Sequence, residues 1–153
     1  MSLTSIVFLT SLALSQAVTA AEPGIKAQFI GGTLPGVSAK SSARLNLTGA
    51  DSLVFQCNGN ELRIAYQRIN TLEYGQNVSR RYAAAILISP VLLLSKSRKH
   101  FVTLGYVDTE GNQQALVFRI EKGDIRSVLA SLEARTGRRI EYQDADARKA
   151  AKG

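Results

Sequence analysis

The spacing of apolar residues changes once along this chain, and that change limits the fold more than any other feature. "ARLNLTG", "DSLVFQC" and "ELRIAYQ" alternate apolar and polar residues, with Leu62, Ile64 and Tyr66 on one side of the third. "INTLEYG", "HFVTLGYVD" and "QQALVFRIE" add further strand-like runs. Asn58-Gly59-Asn60 and Thr109-Glu110-Gly111-Asn112 supply hairpin turns, because Asn and Gly tolerate positive φ. In "GDIRSVLASLEARTGRR" the period then lengthens. Ile125, Val128, Leu129 and Leu132 stand at i, i+3, i+4 and i+7, one stripe of an amphipathic helix. Asp124 is expected to cap its first turn, Gly137 to end it, and Arg135 to suit its dipole. A one-sided helix after a run of strands must lie across a sheet or plug a barrel end. The expected fold is mainly β (α+β): about seven short antiparallel strands closed by a C-terminal helix.

Three stretches remain. "EPGIKAQFIGGTLPGVSAKSS" reads as an irregular lead, broken at Gly31-Gly32 and Pro35-Gly36. "RRIEYQ" is expected to add a last short strand, and residues 143–153 read as a polar, frayed tail. The first twenty residues hold no charged side chain. An apolar run from Ile6 to Leu14 precedes a polar break at Ser15-Gln16, and Ala20 and Ala21 satisfy the small-x-small cleavage rule. This predicts an export signal over 1–21, although no Lys or Arg leads it. An uncleaved N-terminal anchor is the alternative. The folded domain is expected over 22–142.

At 153 residues, with 45% apolar and 20% charged side chains, the chain suits one domain with its own core. Its one cysteine, Cys57, follows Leu53 and Phe55 at period two, so it is expected to be buried and inert. A lone cysteine builds no disulfide scaffold, and with the apolar leader it favours a bacterial periplasmic or secreted protein. Nineteen Lys and Arg against twelve Asp and Glu give a net charge of +7, which favours anionic partners.

The order of elements, with "ELRIAYQRINTLEYG" as one strand-to-strand step and "SVLASLEARTG" closing the chain, resembles the bacterial members of the pleckstrin-homology-like (PH-like) superfamily. The resemblance covers roughly Ala27 to Tyr142 and rests on strand order and the closing helix. It implies a bent, partly open barrel of seven strands capped by a helix. It also implies a binding or scaffold role toward anionic lipids or peptides. Lipid-binding members hold phosphates with basic residues of the first hairpin; here that region offers Lys40 and Arg44.

Catalytic constellations are hard to assemble. His100 is the sole histidine, and the sequence carries no G-x-S-x-G, H-E-x-x-H or P-loop stretch. One Cys and one His far apart make no metal site, so neither metal nor cofactor is expected. Glu73, Asp108 and Glu110 are the carboxylates that would have to converge for a small hydrolase, the remotest alternative. A nucleic-acid surface would need Arg138 and Arg139 beside the other arginines and lysines, with Tyr66, Tyr74 and Tyr82 stacking bases. Tyrosines in alternating strands are favoured for packing alone, and no nucleic acid or small-molecule substrate is expected.

The oddest stretch is "RRYAAAILISPVLLLSKSRKH". Tyr82 to Leu94 is uncharged, between Arg80 and Arg81 on one side and Lys96, Arg98 and Lys99 on the other. As a helix its thirteen residues would span about 20 Å, short of a ~30 Å hydrocarbon core, and Pro90 interrupts it. It does not cross a membrane. Two readings stand: a buried piece of core, or an apolar loop that dips Ile88, Pro90, Leu92 and Leu93 into one leaflet. In the second, Arg80, Arg81, Lys96, Arg98 and Lys99 rest on anionic headgroups. The expected function is a non-enzymatic, exported binding or scaffold module at a membrane surface or on a protein partner.

Overall fold

The computed structural model describes residues 24–76 and 99–152. Eight strands form one sheet: β1 (Ile25–Gly32), β2 (Ser42–Asn46), β3 (Ser52–Cys57), β4 (Asn60–Ala65), β5 (Ile69–Gly75), β6 (His100–Val107), β7 (Gln113–Ile120) and β8 (Glu141–Tyr142). Helix α1 (Ile125–Thr136) follows β7, and α2 (Ala145–Lys152) follows β8. The order across the sheet is β4-β3-β2-β1-β7-β6-β5-β8. Every neighbouring pair is antiparallel except β5 and β8, which run parallel through Glu73–Glu141 and Tyr74–Tyr142. The molecule is therefore mainly β, an open sheet with β4 and β8 at its edges, compatible with a partial barrel.

The alternation sets one face of that sheet. Ala43 and Leu45, Leu53 and Phe55 with Cys57, and Ile64 point into a core shared with Leu104, Leu116, Phe118 and Ile120. Phe29, Phe55 and Phe118 form a chain of tilted rings, with centroids 5.7 and 5.2 Å apart, a geometry aromatic pairs favour. Helix α1 adds Ile125, Val128, Leu129 and Leu132 to the same core, the stripe read from the sequence. Each such side chain contributes about 1.5–3 kcal/mol when fully buried. Arg135 ties the far end of α1 down. Its guanidinium lies 5.6 Å over the Tyr66 ring and donates hydrogen bonds to the carbonyls of Gly49 and Thr48.

Both hairpin turns form where expected. Asn58 and Gly59 take φ of 51° and 78°, and Gly111 takes 89°. Cys57 is buried at 2% exposure, and burial raises its thiol pKa. Four expectations change. The lead contains β1, which pairs with β2 on one side and β7 on the other, and so sits mid-sheet. A register shift falls between Phe29 and Gly31, and Phe29 and Ile30 are both buried, only Phe29 within the core cluster. Asp124 occupies the helix start in an α-region conformation, and its carboxylate makes no capping bond. Its carbonyl instead accepts from Val128 N–H at 3.0 Å and from the Ser127 hydroxyl at 2.8 Å. Residues 145–152 are helical where a frayed tail was expected: Asp144 Oδ1 caps Ala147 N–H at 2.7 Å, and Ala147 and Ala151 are buried. The eighth strand is the fourth change, since it joins β5 in parallel.

Candidate functional site

The alternation that buries one face of β1, β2 and β7 turns basic residues to the other. Lys26 lies between Ile25 and Ala27, which pack on the core, and it pairs in register with Arg44. Arg119 lies between Phe118 and Ile120 and pairs with Gln28 on β1 and Phe101 on β6. Lys26, Arg44 and Arg119 therefore share the outer face, near the end of the sheet where β1 begins and β7 ends. Lys99 and Lys122 flank the same end, one just before β6 and the other just after β7. The chain leaves β5 after Gly75 and rejoins the sheet at His100, and Gly75 pairs with Phe101. The two ends of the intervening segment are thus tethered to this corner.

A groove of about 340 Å³ closes the end of the β6–β7 ladder, lined by Lys99, His100, Arg119, Ile120, Glu121 and Lys122. Its three cations face a single carboxylate. Arg119 donates to Glu121 at 3.5 Å, and Glu121 is 72% exposed. Such a surface pair adds little to stability and is screened by salt. His100 is held from below: its Nδ1 lies 2.5 Å from the Tyr74 hydroxyl, with the two rings stacked. Burial, then the charge of Lys122, lowers the His100 pKa, while Glu121 opposes them. Tyr74 is fully buried, and burial raises its pKa, so its hydroxyl keeps its proton. A buried hydroxyl must place that proton on an acceptor. The neutral His100 ring meets this requirement when Tyr74 O–H donates to Nδ1. The ring proton then sits on Nε2, where it can donate to a ligand.

The carboxylates do not converge. Glu73 stands opposite Thr103 in mid-strand, 5% exposed, and accepts a hydrogen bond from Gln143 at 2.9 Å. Asp108 and Glu110 belong to the β6–β7 turn beyond Val107. The N–H of Asn112, above all, holds the Asp108 carboxyl below its ordinary pKa, joined by Gln114 and Glu110 N–H. The aromatic part of a nucleic-acid surface is absent too among the described tyrosines named for it. Tyr66 is 2% exposed and its hydroxyl donates to Leu47 C=O; Tyr74 is sealed in the core. Arg138 and Arg139 are exposed beyond the end of α1.

Of the contact residues read from the sequence, Lys99 lines the groove. Arg80, Arg81, Ile88, Pro90, Leu92, Leu93, Lys96 and Arg98, and the cleavage residues Ala20 and Ala21, lie outside the described residues. Sequence reasoning missed Lys26, Arg119 and Lys122. Each occupies a polar position of, or next to, a strand, and only the strand register brings them to one corner. Among the described residues no three His, Cys, Asp or Glu side chains are placed to hold a metal ion, and no helix is long and apolar enough to cross a membrane. No family model matches the chain, and no curated protein does.

Proposed function

We propose that this chain is an exported, non-enzymatic binding module of PH-like type that acts at an anionic membrane surface. The carrying observation is the basic corner. Lys26, Arg44, Arg119, Lys99 and Lys122 gather where the chain departs into, and returns from, its most apolar stretch. That stretch is flanked in sequence by Arg80, Arg81, Lys96 and Arg98. Basic residues near an anionic leaflet contribute about 1 kcal/mol each, within a Debye length of about 8–10 Å. The PH-like reading draws support from the sheet order, in which β1–β4 and β5–β7 form two meanders joined through β1 and β7. It also draws support from a helix packed beside Tyr66, at the turn between β4 and β5. Export draws its support from the leader sequence alone.

Co-sedimentation with vesicles tests the function. The mature protein should pellet with anionic vesicles and stay in solution with neutral ones. Arg98→Ser with Lys99→Ser should lower binding and leave the melting temperature unchanged. Leu92→Asp separates the two readings of the apolar stretch: lost binding with intact folding marks a leaflet contact, and lost folding marks core. Failure to pellet with anionic vesicles at low salt would leave a protein-binding scaffold in place of the membrane reading.

A further inference from the structure

The geometry points to a phosphate site in the groove at the end of the β6–β7 ladder, built to take a headgroup that ends in a phosphate monoester. This rests on the surface-binding reading and gives its ligand a chemistry. Three properties carry it. The first is charge. Lys99, Arg119 and Lys122 against Glu121 leave a net +2 around a neutral His100, and a phosphate monoester carries about −1.5 to −2 near neutral pH. A phosphodiester, with one negative charge, would leave half of that potential unmatched.

The second is donor supply. Among the described residues, Arg119 has one ionic partner, the largely exposed Glu121, and an anion with more charge competes with that 3.5 Å contact on favourable terms. The guanidinium forks toward two oxygens at once, which suits a tetrahedral phosphate better than a single point charge does. The third is His100. Its Nδ1 is occupied by Tyr74, so Nε2–H is the ring's remaining polar group, on a residue that lines the groove. The stacked and hydrogen-bonded Tyr74 fixes the ring before any ligand arrives, and a fixed donor costs less order on binding than a mobile one. The groove lies at the opposite end of β6 and β7 from the Asp108–Asn112 turn, and β1 runs away from that end before it enters the β1–β2 connection that carries Lys40.

The test uses the mature full chain and four probes. These are inorganic phosphate alone, neutral vesicles, vesicles with phosphatidylglycerol (a diester) and vesicles with phosphatidic acid (a monoester). The His100 imidazole resonances should shift with inorganic phosphate in the millimolar range. Phosphatidic acid vesicles should bind more tightly than phosphatidylglycerol vesicles at the same mole fraction. Arg119→Gln with Lys122→Gln should lower the phosphatidic acid affinity on the order of tenfold, as loss of two charge-assisted contacts would. The same variant should erase the preference over phosphatidylglycerol while keeping the parent's melting temperature. Equal binding of the two lipids, unchanged in the double variant, would overturn the groove and leave the basic corner as a nonspecific surface. A phosphate-induced His100 shift without binding to any vesicle would keep the groove as a site for soluble phosphate and overturn both the headgroup assignment and the membrane reading. No shift and no lipid preference would overturn the site.

Discussion

The two halves of the sheet bury themselves differently. Strands β2 and β3 alternate: Ala43, Leu45, Leu53, Phe55 and Cys57 face the core, while Arg44, Val54 and Gln56 face outward and stay part-exposed. Strand β6 is buried at every position from Phe101 to Tyr106, and β7 from Ala115 to Phe118. Val102, Leu104, Leu116 and Phe118 account for the core face of that half. Ile30, Phe101, Ala115 and Val117 are equally buried but stand outside the core cluster, on the opposite face, with Thr103 and Glu73 in the same rows. One half of the sheet therefore presents a polar outer surface and the other a covered one. A sheet covered on both faces loses the polar alternation that marks a solvated one. The basic corner lies where the two regimes meet, with Arg119 paired to the covered Phe101 on one side and to Gln28 on the other.

The largest expected effect comes from placing a charge on each face. Leu132→Asp in the core and Val117→Asp on the covered outer face should each cost several kcal/mol, since both residues are fully buried. Val54→Asp, on the outer face of β3, should cost about 1 kcal/mol, the scale of strand preference alone. Thermal melts of the three would break the comparison if Val117→Asp behaved like Val54→Asp. They would break the packing of α1 if Leu132→Asp did.

A smaller effect sharpens the same contrast at the sheet edge. Gln143 donates its side-chain amide to the buried Glu73 and its backbone N–H to Tyr74 C=O, and it packs over Gly75 so closely that a Cβ there would collide with it. Gln143→Ala should leave a buried carboxylate short of a partner and cost about 1–3 kcal/mol. A melt unchanged by Gln143→Ala would show that Glu73 finds solvent, and that the covered half is looser at β5 than at β6.

The smallest is a pH effect at the corner. The folded-state pKa of His100 lies below its ordinary value of 6.5. Protons therefore bind the unfolded chain more readily, and stability should be flat above that value and decline as pH falls through and below it. Glu121, Lys122, Lys99 and Arg119 are the charged groups that share the groove with the ring. His100→Gln should flatten that part of the stability profile. A decline that persists unchanged in His100→Gln would assign it to carboxylates elsewhere, such as Asp108, whose lowered pKa acts in the same direction at lower pH.

These outcomes also measure how much a single sequence exposes. The strands of the polar half and the stripe of α1 were legible because each buries one face, and one-sided burial writes its period into the residues. The core placement of Cys57 followed from the same alternation. β1 was hidden because both of its faces are buried beside β7, Phe29 in the core and Ile30 on the opposite face, so its polar alternation is lost, and Gly31-Gly32 reads as a turn. α2 was hidden because its buried stripe is Ala147 and Ala151, too small to stand out among Asp, Arg and Lys. Its cap, Asp144, was present in the sequence at the usual distance. The site was legible at Lys99, and at Arg44 only through the resemblance. Lys26 is remote in sequence from Arg119 and Lys122, and they meet through the register of β1 with β7, a property of pairing that no local pattern encodes.

A basic corner that meets an anionic surface must respond to salt, and salt is its most direct probe. Binding of the protein to anionic vesicles should fall steeply as ionic strength rises from about 0.01 to 0.15 M, because the screening length shrinks from about 30 Å to about 8 Å. Arg119→Gln with Lys122→Gln should make that dependence shallower. Binding that is indifferent to salt, or as strong to neutral vesicles as to anionic ones, would contradict the role assigned to the corner.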